Sequence, residues 1–319
     1  MKKRIRIGEL RVGMYVEELE TSSLDHKYYA PFLIDTIDQI KAVITCNAIS
    51  AVIDVTKGIN PDATAQSESE IRRNFEQYLL RHYSSQEIAH ARILMSKTVP
   101  KVKDLLTNAP REGAINVEAA LSSVEDIMAS TTKNAGALVS LSKLRRRDEE
   151  TFVHSISVSA LLITFARKLS MNEELIRHVG LAGLLHDVGK MAIPTEILRK
   201  QEKLTEHEYR IVRLHPVLGS ELLKNKATLP ETVLDVCLYH HERYDGSGYP
   251  SRLSGEQIPF VARLAAICDV YDALTSRRPY KATWSQARAV ETMLSTQGHF
   301  DPSLLRQFVS KMILSGDLN

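Results

Sequence analysis

The chain has 319 residues, of which 44% are apolar and 25% charged. That composition excludes a disordered, collagenous or repeat-biased chain, and the length predicts about two domains. A net charge of only +2 supplies no whole-molecule basic field for nucleic acid.

The N-terminus, MKKRIRIGELRVG, is basic but lacks the apolar stretch of a signal peptide. Leu10, Val12, Met14 and Val16 alternate with other residues, the period of a strand. Ile37, Ile40 and Ile44 follow helical spacing with Asp35 as the expected N-cap, and 51–55 reads as a second strand. Residues 56–70 are polar and hold Gly58 and Pro61, as expected of a linker. From there the pattern is helical: Ile71, Phe75, Tyr78 and Leu79 share one face, and so do Val117, Leu121, Val124 and Met128. The segment from Asn108 to Gly113 is expected to be the loop between them. Beyond residue 117 no strand is predicted. The apolar positions Phe152, Ile156, Ile163, Phe165 and Leu169 predict a helix over 150–169, and Ile176 to Leu185 predicts the next. The longest apolar stretch, from Val158 to Ala166, is interrupted by Ser159 and Thr164 and falls far short of the roughly 18 residues that a membrane span needs. Cys46, Cys237 and Cys268 stand far apart, with no CxxC pair, so no disulfide framework is expected and a reducing, cytoplasmic setting fits. No membrane and no nucleic-acid partner is predicted.

The chemistry-bearing residues concentrate in the helical half. His186 and Asp187 end an apolar helix and precede Val188-Gly189-Lys190. His240 and His241 end another, running from Val233. His215 precedes Pro216. Asp269 and Asp272 lie three apart on a helix over 263–275, on one side of it. Glu150 and His154 are four apart, one above the other. Taken singly, each of these residues has an ordinary structural role. A histidine at the end of an apolar helix is ordinarily a satisfied polar group, and an acidic pair forms a solvated face. Together they place too many ionisable groups at core positions to be explained without cations. Imidazole with carboxylate suits Fe, Mn, Ni or Zn. His178, His207, His299, His26, His82 and His90 are expected to be surface residues.

Three blocks then resemble a known family. His186-Asp187-Val188-Gly189-Lys190 resembles the HD motif of the HD metal-dependent phosphohydrolases. The run from His240 to Pro250, HHERYDGSGYP, resembles the HHExxDGxGYP signature of the HD-GYP subfamily, and the run from Ile267 to Lys281 resembles its downstream motif. The resemblance covers 122–319. Residues 1–121 resemble the small domain of unknown function that often precedes HD-GYP domains in bacterial proteins.

The resemblance implies a mainly α protein: an all-helical HD-type catalytic domain over 122–319, preceded by a small α+β domain with linker and helix over 1–121, expected to be regulatory. It implies a phosphodiesterase that hydrolyses cyclic di-GMP to pGpG and on to GMP. His154, His186, Asp187 and Asp269 would hold one metal, with Asp187 bridging to a second held by His215, His240 and His241. Glu150, one turn before His154, would add a third, giving two or three divalent ions, Fe or Mn before Ni or Zn. Lys190, Arg278 and Lys281 match the phosphate-contacting positions, with Asp187 and Lys190 as the catalytic pair. Gly246 and Gly248 are expected to permit a tight turn, with Tyr249 and Pro250 as a surface for substrate or for diguanylate cyclase (GGDEF) partners. A homodimer is a further expectation. The competing readings are a phosphodiesterase for another cyclic dinucleotide such as cyclic GMP-AMP, and a cyclic di-GMP sensor with slow turnover.

Overall fold

The computed structural model describes residues 2–21, 31–45, 48–59, 68–143, 149–200, 202–224, 229–276, 284–316 and 318. Arg278 and Lys281, together with His26, Cys46 and most of the expected linker, lie outside them. The chain divides into two compact units, Met1–Gln77 and Tyr78–Asn319.

The first unit holds strands β1 (Lys2–Arg6), β2 (Tyr15–Thr21), β3 (Phe32–Leu33) and β4 (Ala48–Asp54), with helix α1 (Ile37–Thr45) before β4. The strands form one antiparallel sheet in the order β1-β4-β2-β3. Ile5, Met14, Val16, Ile34, Ala51 and Ile53 are buried in its core. Two expectations shift here. The alternation at 10–16 is a turn leading into β2 rather than a strand, because Met14 N–H closes onto the Arg11 carbonyl. The N-cap of α1 is Thr36 and not Asp35: Thr36 Oγ1 accepts from Gln39 N, and Gln39 Oε1 accepts in return from Thr36 N, a capping box.

The helical chain begins with α2 (Glu68–His82), α3 (Ser85–Glu112), α4 (Val117–Ser142) and α5 (Glu150–Lys168). The expected loop at Asn108–Gly113 is instead the last turn of α3, which runs through Pro110 and stops at Gly113 with φ 64°. Leu105, Leu106 and Ala109 are buried over the last two turns, and their packing outweighs the hydrogen bond that proline removes. Helix α4 is interrupted at Asn134. Helix α5 is buried on every side from Phe152 to Ala166, which explains why the longest apolar stretch lies there without being a membrane span. Among the described residues no helix is long and apolar enough to cross a membrane.

There follow α6 (Glu173–Leu185), the short α7 (Thr195–Leu198) and α8 (Glu206–Val212), then α9 (His215–Lys224), α10 (Glu231–Tyr239), α11 (Phe260–Thr275), α12 (Gln286–Ser295) and α13 (Pro302–Phe308); α6 and α11 pack against α5, α10 against α6 and α11, and α9 against α10. Gly180 and Gly183 let α6 approach α5, since a Cβ at either would strike Ile163 or the Ser159 backbone. Ser159 Oγ donates to the Gly180 carbonyl at 2.7 Å across that contact. A 3-10 turn over Val188–Ala192 follows α6. Its Gly189 lies against Gly219 of α9, where a Cβ would collide with the His215 carbonyl and the Gly219 backbone. That close approach seats His186 and Asp187 beside His215.

Gly189→Ala should therefore separate the two segments. Overpacking of this kind costs about 1–3 kcal/mol, and a melt of the full chain should fall by roughly 2–4 °C per kcal/mol lost. An unchanged melting temperature with unchanged metal content would show that the contact does not set the site.

Candidate metal centre

The polar core lies where helix ends meet. His154 sits on the first turns of α5, His186 directly after α6, His215 at the start of α9, His240 after α10 and Asp269 within α11. All five, with Asp187, are buried. His186 Nδ1–H donates to the Gly183 carbonyl at 2.8 Å, and His215 Nδ1–H to that of Val212 at 2.7 Å. His240 Nδ1–H is shared between the Val236 and Cys237 carbonyls at 2.9 and 3.0 Å. His154 Nδ1–H donates to Asp272 Oδ2 at 2.6 Å. With Nδ1 carrying the proton in each ring, Nε2 is left as a bare lone pair.

Those lone pairs converge on two carboxylates. Asp187 Oδ1 lies 3.2 Å from His215 Nε2 and 3.7 Å from His240 Nε2. Its Oδ2 lies 3.3 Å from His186 Nε2 and 3.7 Å from His154 Nε2. Asp269 Oδ1 is 3.0 Å from His154 Nε2. Two ligand sets result, His154 with His186 and Asp269, and His215 with His240, His241 and Asp187. Lys190 Nζ donates to Asp187 Oδ2.

The geometry fits cations. His186 Nε2 and Asp187 Oδ1 are buried without a hydrogen-bond partner, at a cost of about 1–3 kcal/mol each. The Nε2 atoms of His215 and His240 face one another at 3.3 Å, lone pair to lone pair, an arrangement that only a positive charge makes favourable. Burial raises the Asp187 carboxyl, yet the Lys190 ammonium beside it outweighs that and holds it well below the usual carboxylate range. Burial pushes His241 well below its ordinary value, and His240 adds to the effect, which keeps that imidazole neutral, as a metal ligand must be. Burial holds the Cys237 and Cys268 thiols up and therefore protonated, so the donor set is nitrogen and oxygen.

The HD domain family matches residues 122–304, and a domain of unknown function (DUF3391) matches 2–120. The chain belongs to the HD-domain family. Over 315 residues it is 41% identical to a protein of Pseudomonas aeruginosa named a cyclic di-GMP phosphodiesterase, covering 97% of this chain and 76% of that one. A Xanthomonas campestris response regulator named a cyclic di-GMP phosphodiesterase is 39% identical over 184 residues, 57% of this chain and 48% of that protein. A Vibrio cholerae protein named a 3'3'-cGAMP-specific phosphodiesterase is 38% identical over 161 residues, 50% of this chain and 31% of that protein. The chain thus spans less than half of the last two. A solved structure of an HDG"Y"P protein from Bdellovibrio bacteriovorus shares the fold, with a TM-score of 0.59 at 18% identity, covering 99% of this chain and all of that one.

Several residues of this HD-domain protein stand differently from the sequence expectation. Glu150 opens α5, half-buried, and belongs to neither ligand set. His299 is not a surface residue: it is half-buried, burial lowers it to about 4, and its carbonyl accepts the Tyr244 N–H. Asp272, noted in the sequence as half of an acidic pair and within the run from Ile267 to Lys281 but given no role, orients His154 and is itself held by Ser157 Oγ at 2.6 Å. His241 has no hydrogen bond to a ring nitrogen among the described residues. Instead its ring stacks on Tyr249, centroids 4.8 Å apart and planes at 25°, and the Arg213 guanidinium lies over the Tyr249 ring, 4.3 Å from its centroid. The turn that brings Tyr249 back is drawn tight by Tyr249 N–H on the His241 carbonyl, by Ser251 N–H on buried Glu242 and by Gly248, where a Cβ would strike the Glu242–Arg243 backbone.

Asp272→Asn should weaken metal affinity by 10–100-fold, the usual loss when an orienting partner of a ligating histidine is removed, while the fold is retained. Metal titration with a competing chelator measures it, and wild-type affinity would remove Asp272 from the site. Tyr249→Phe should keep metal content and Tyr249→Ala should lower it in the set that contains His241. Equal metal content in both variants would show that the stack does not hold that imidazole.

Proposed function

We propose that this chain is a metal-dependent phosphodiesterase of the HD-GYP kind that hydrolyses cyclic di-GMP to pGpG and then to GMP. The observation that carries the reading is the buried Asp187 carboxylate with one oxygen facing each of two imidazole sets. Divalent transition-metal ions bound there would supply water acidified toward neutral pH and positive charge against a phosphodiester. The ligands would be His154, His186, Asp187 and Asp269 for one ion and Asp187, His215, His240 and His241 for the other, Fe or Mn by donor type.

The chain's own residues do the rest. Asp187 and Lys190 keep opposite charges together at the floor of the site, and Lys190 would meet a non-bridging phosphate oxygen. Arg278 and Lys281 would hold the second phosphate, Arg278 through its planar fork. Water adds to one phosphorus as its bond to the 3′ oxygen breaks, which leaves a 3′ hydroxyl and a 5′ phosphate. Phosphoryl transfer asks for alignment and charge compensation more than covalent chemistry. Glu150 would favour a third ion and the second cut. The exposed side of the turn, at Asp245, Ser247 and Arg252, would be the face for GGDEF partners, and a homodimer would be the working assembly.

A second reading, hydrolysis of 3'3'-cGAMP, is supported by the relative that carries that name. The metal-loaded protein should be assayed against both dinucleotides. Cyclic di-GMP turnover to GMP that exceeds 3'3'-cGAMP turnover supports the first reading, and the reverse order supports the second. Asp187→Ala should lose both activity and metal, and Glu150→Ala should stop at pGpG. An active Asp187→Ala variant with full metal content by elemental analysis would overturn the assignment.

A further inference from the structure

Arg213 closes α8 two residues before His215 and is tied to the second ligand set at two points. His215 Nδ1–H donates to the carbonyl of Val212, in the peptide that leads into Arg213. His241 stacks on Tyr249, and the Arg213 guanidinium lies 4.3 Å from the centroid of that same ring. Tyr209, one turn earlier on α8, adds a second ring at 5.9 Å and is itself 52% exposed. Both rings stand within the reach of a cation–π contact, about 6 Å. Among the described residues the Arg213 side chain makes no hydrogen bond and no ion pair. Arg167, Arg177 and Arg263 of the same helical unit each bond a neighbour. Glu208, the acid beside Tyr209, is taken up by Lys200 on both oxygens at 2.7 Å. Arg213 is half-buried, so two rings restrict it while its five N–H donors stay unspent.

A rigid fork of donors at the edge of a metal centre calls for a planar acceptor. The phosphodiester belongs to the cations, so the acceptor left for Arg213 is the base carried by the same nucleotide. Guanine presents O6 and N7 on one edge, two acceptors side by side, whereas adenine presents N7 beside an N6 amino donor. Arginine has donors only. It therefore pairs with guanine through two bonds and meets adenine donor to donor. The exposed ring of Tyr209 offers surface on which either base can stack.

We propose that Arg213 is the guanine reader of this chain: with a phosphodiester at the metal centre, the base joined to it meets the Arg213 fork through O6 and N7. The proposal rests on the phosphodiesterase reading for the place of the phosphate and adds the residue that selects the base. One reader demands one guanine. A cyclic dinucleotide with a single guanine is then taken in one orientation and opened at one of its two phosphodiesters, whereas cyclic di-GMP offers a guanine either way.

The metal-loaded full chain should be titrated calorimetrically with GMP and AMP, alongside Arg213→Met and Arg213→Gln, with metal content measured for each. Wild type should bind GMP more tightly than AMP by about 5- to 150-fold, the range for one bidentate base contact. Arg213→Met keeps bulk beside Tyr249 but has no donor, and GMP should fall to within twofold of AMP, with AMP affinity and metal content unchanged. Arg213→Gln can donate to N7 and accept from N6, and it should favour AMP. From 3'3'-cGAMP, wild type should release one first linear product and Arg213→Met both. Equal wild-type affinity for GMP and AMP, or a GMP preference that survives in Arg213→Met, would overturn the reader. GMP and AMP weakened alike would leave Arg213 as a support for Tyr249 alone and would overturn it too. Both linear products from wild type would overturn the single orientation. A wild type that hydrolyses neither dinucleotide yet shows the GMP preference, lost in Arg213→Met, would remove the phosphodiesterase reading and leave the guanine site standing.

Discussion

The helical unit is organised around a carboxylate that water does not reach. Asp187 is 1% exposed, and an isolated charge there would be prohibitively costly. Lys190 compensates one oxygen from the rim, while the other faces the imidazoles of His215 and His240. Neutral rings that point bare nitrogens at a carboxylate make its position worse, not better. The arrangement is therefore coherent only around cations, and the packing of α5, α6, α9, α10 and α11 serves to hold its donors in place.

The same physics explains why the ligating histidines sit at helix ends. The last carbonyls of a helix lack intrahelical partners. His186, His215 and His240 each follow such a turn and give Nδ1–H to one of those carbonyls, Gly183, Val212 and Cys237, and the bond both caps the helix and aims Nε2 inward. His154 lies inside α5, where the carbonyls are already taken, and it requires Asp272 from another helix. His241 has neither device and is seated by Tyr249, over whose ring Arg213 also lies. One motif thus uses three ways to orient a ring.

Much of this was legible in the sequence because burial imposes a period. Helices α5, α6, α10 and α11 follow their apolar spacing, and the histidine positions follow the motif blocks. The failures have physical causes. Strand β1 is short and charged, and Pro110 reads as a break although packing carries α3 through it. Asp35 and Thr36 are both good N-caps, and only the reciprocal bond with Gln39 decides between them. Asp272 and Tyr249 act by long-range contact, which leaves no periodic trace.

The division of labour within the site also bears on which dinucleotide it would take. Every donor in the two ligand sets is suited to a metal ion, and through it to a phosphodiester, the part that cyclic di-GMP and 3'3'-cGAMP share. Imidazole and carboxylate lone pairs already committed to cations have nothing left with which to read a base edge. Discrimination between guanine and adenine therefore falls to side chains outside the two sets, which can vary without disturbing Asp187 or its histidines. That is a physical reason why relatives named for either substrate align with one and the same chain, and why the metal centre and base selectivity can change independently.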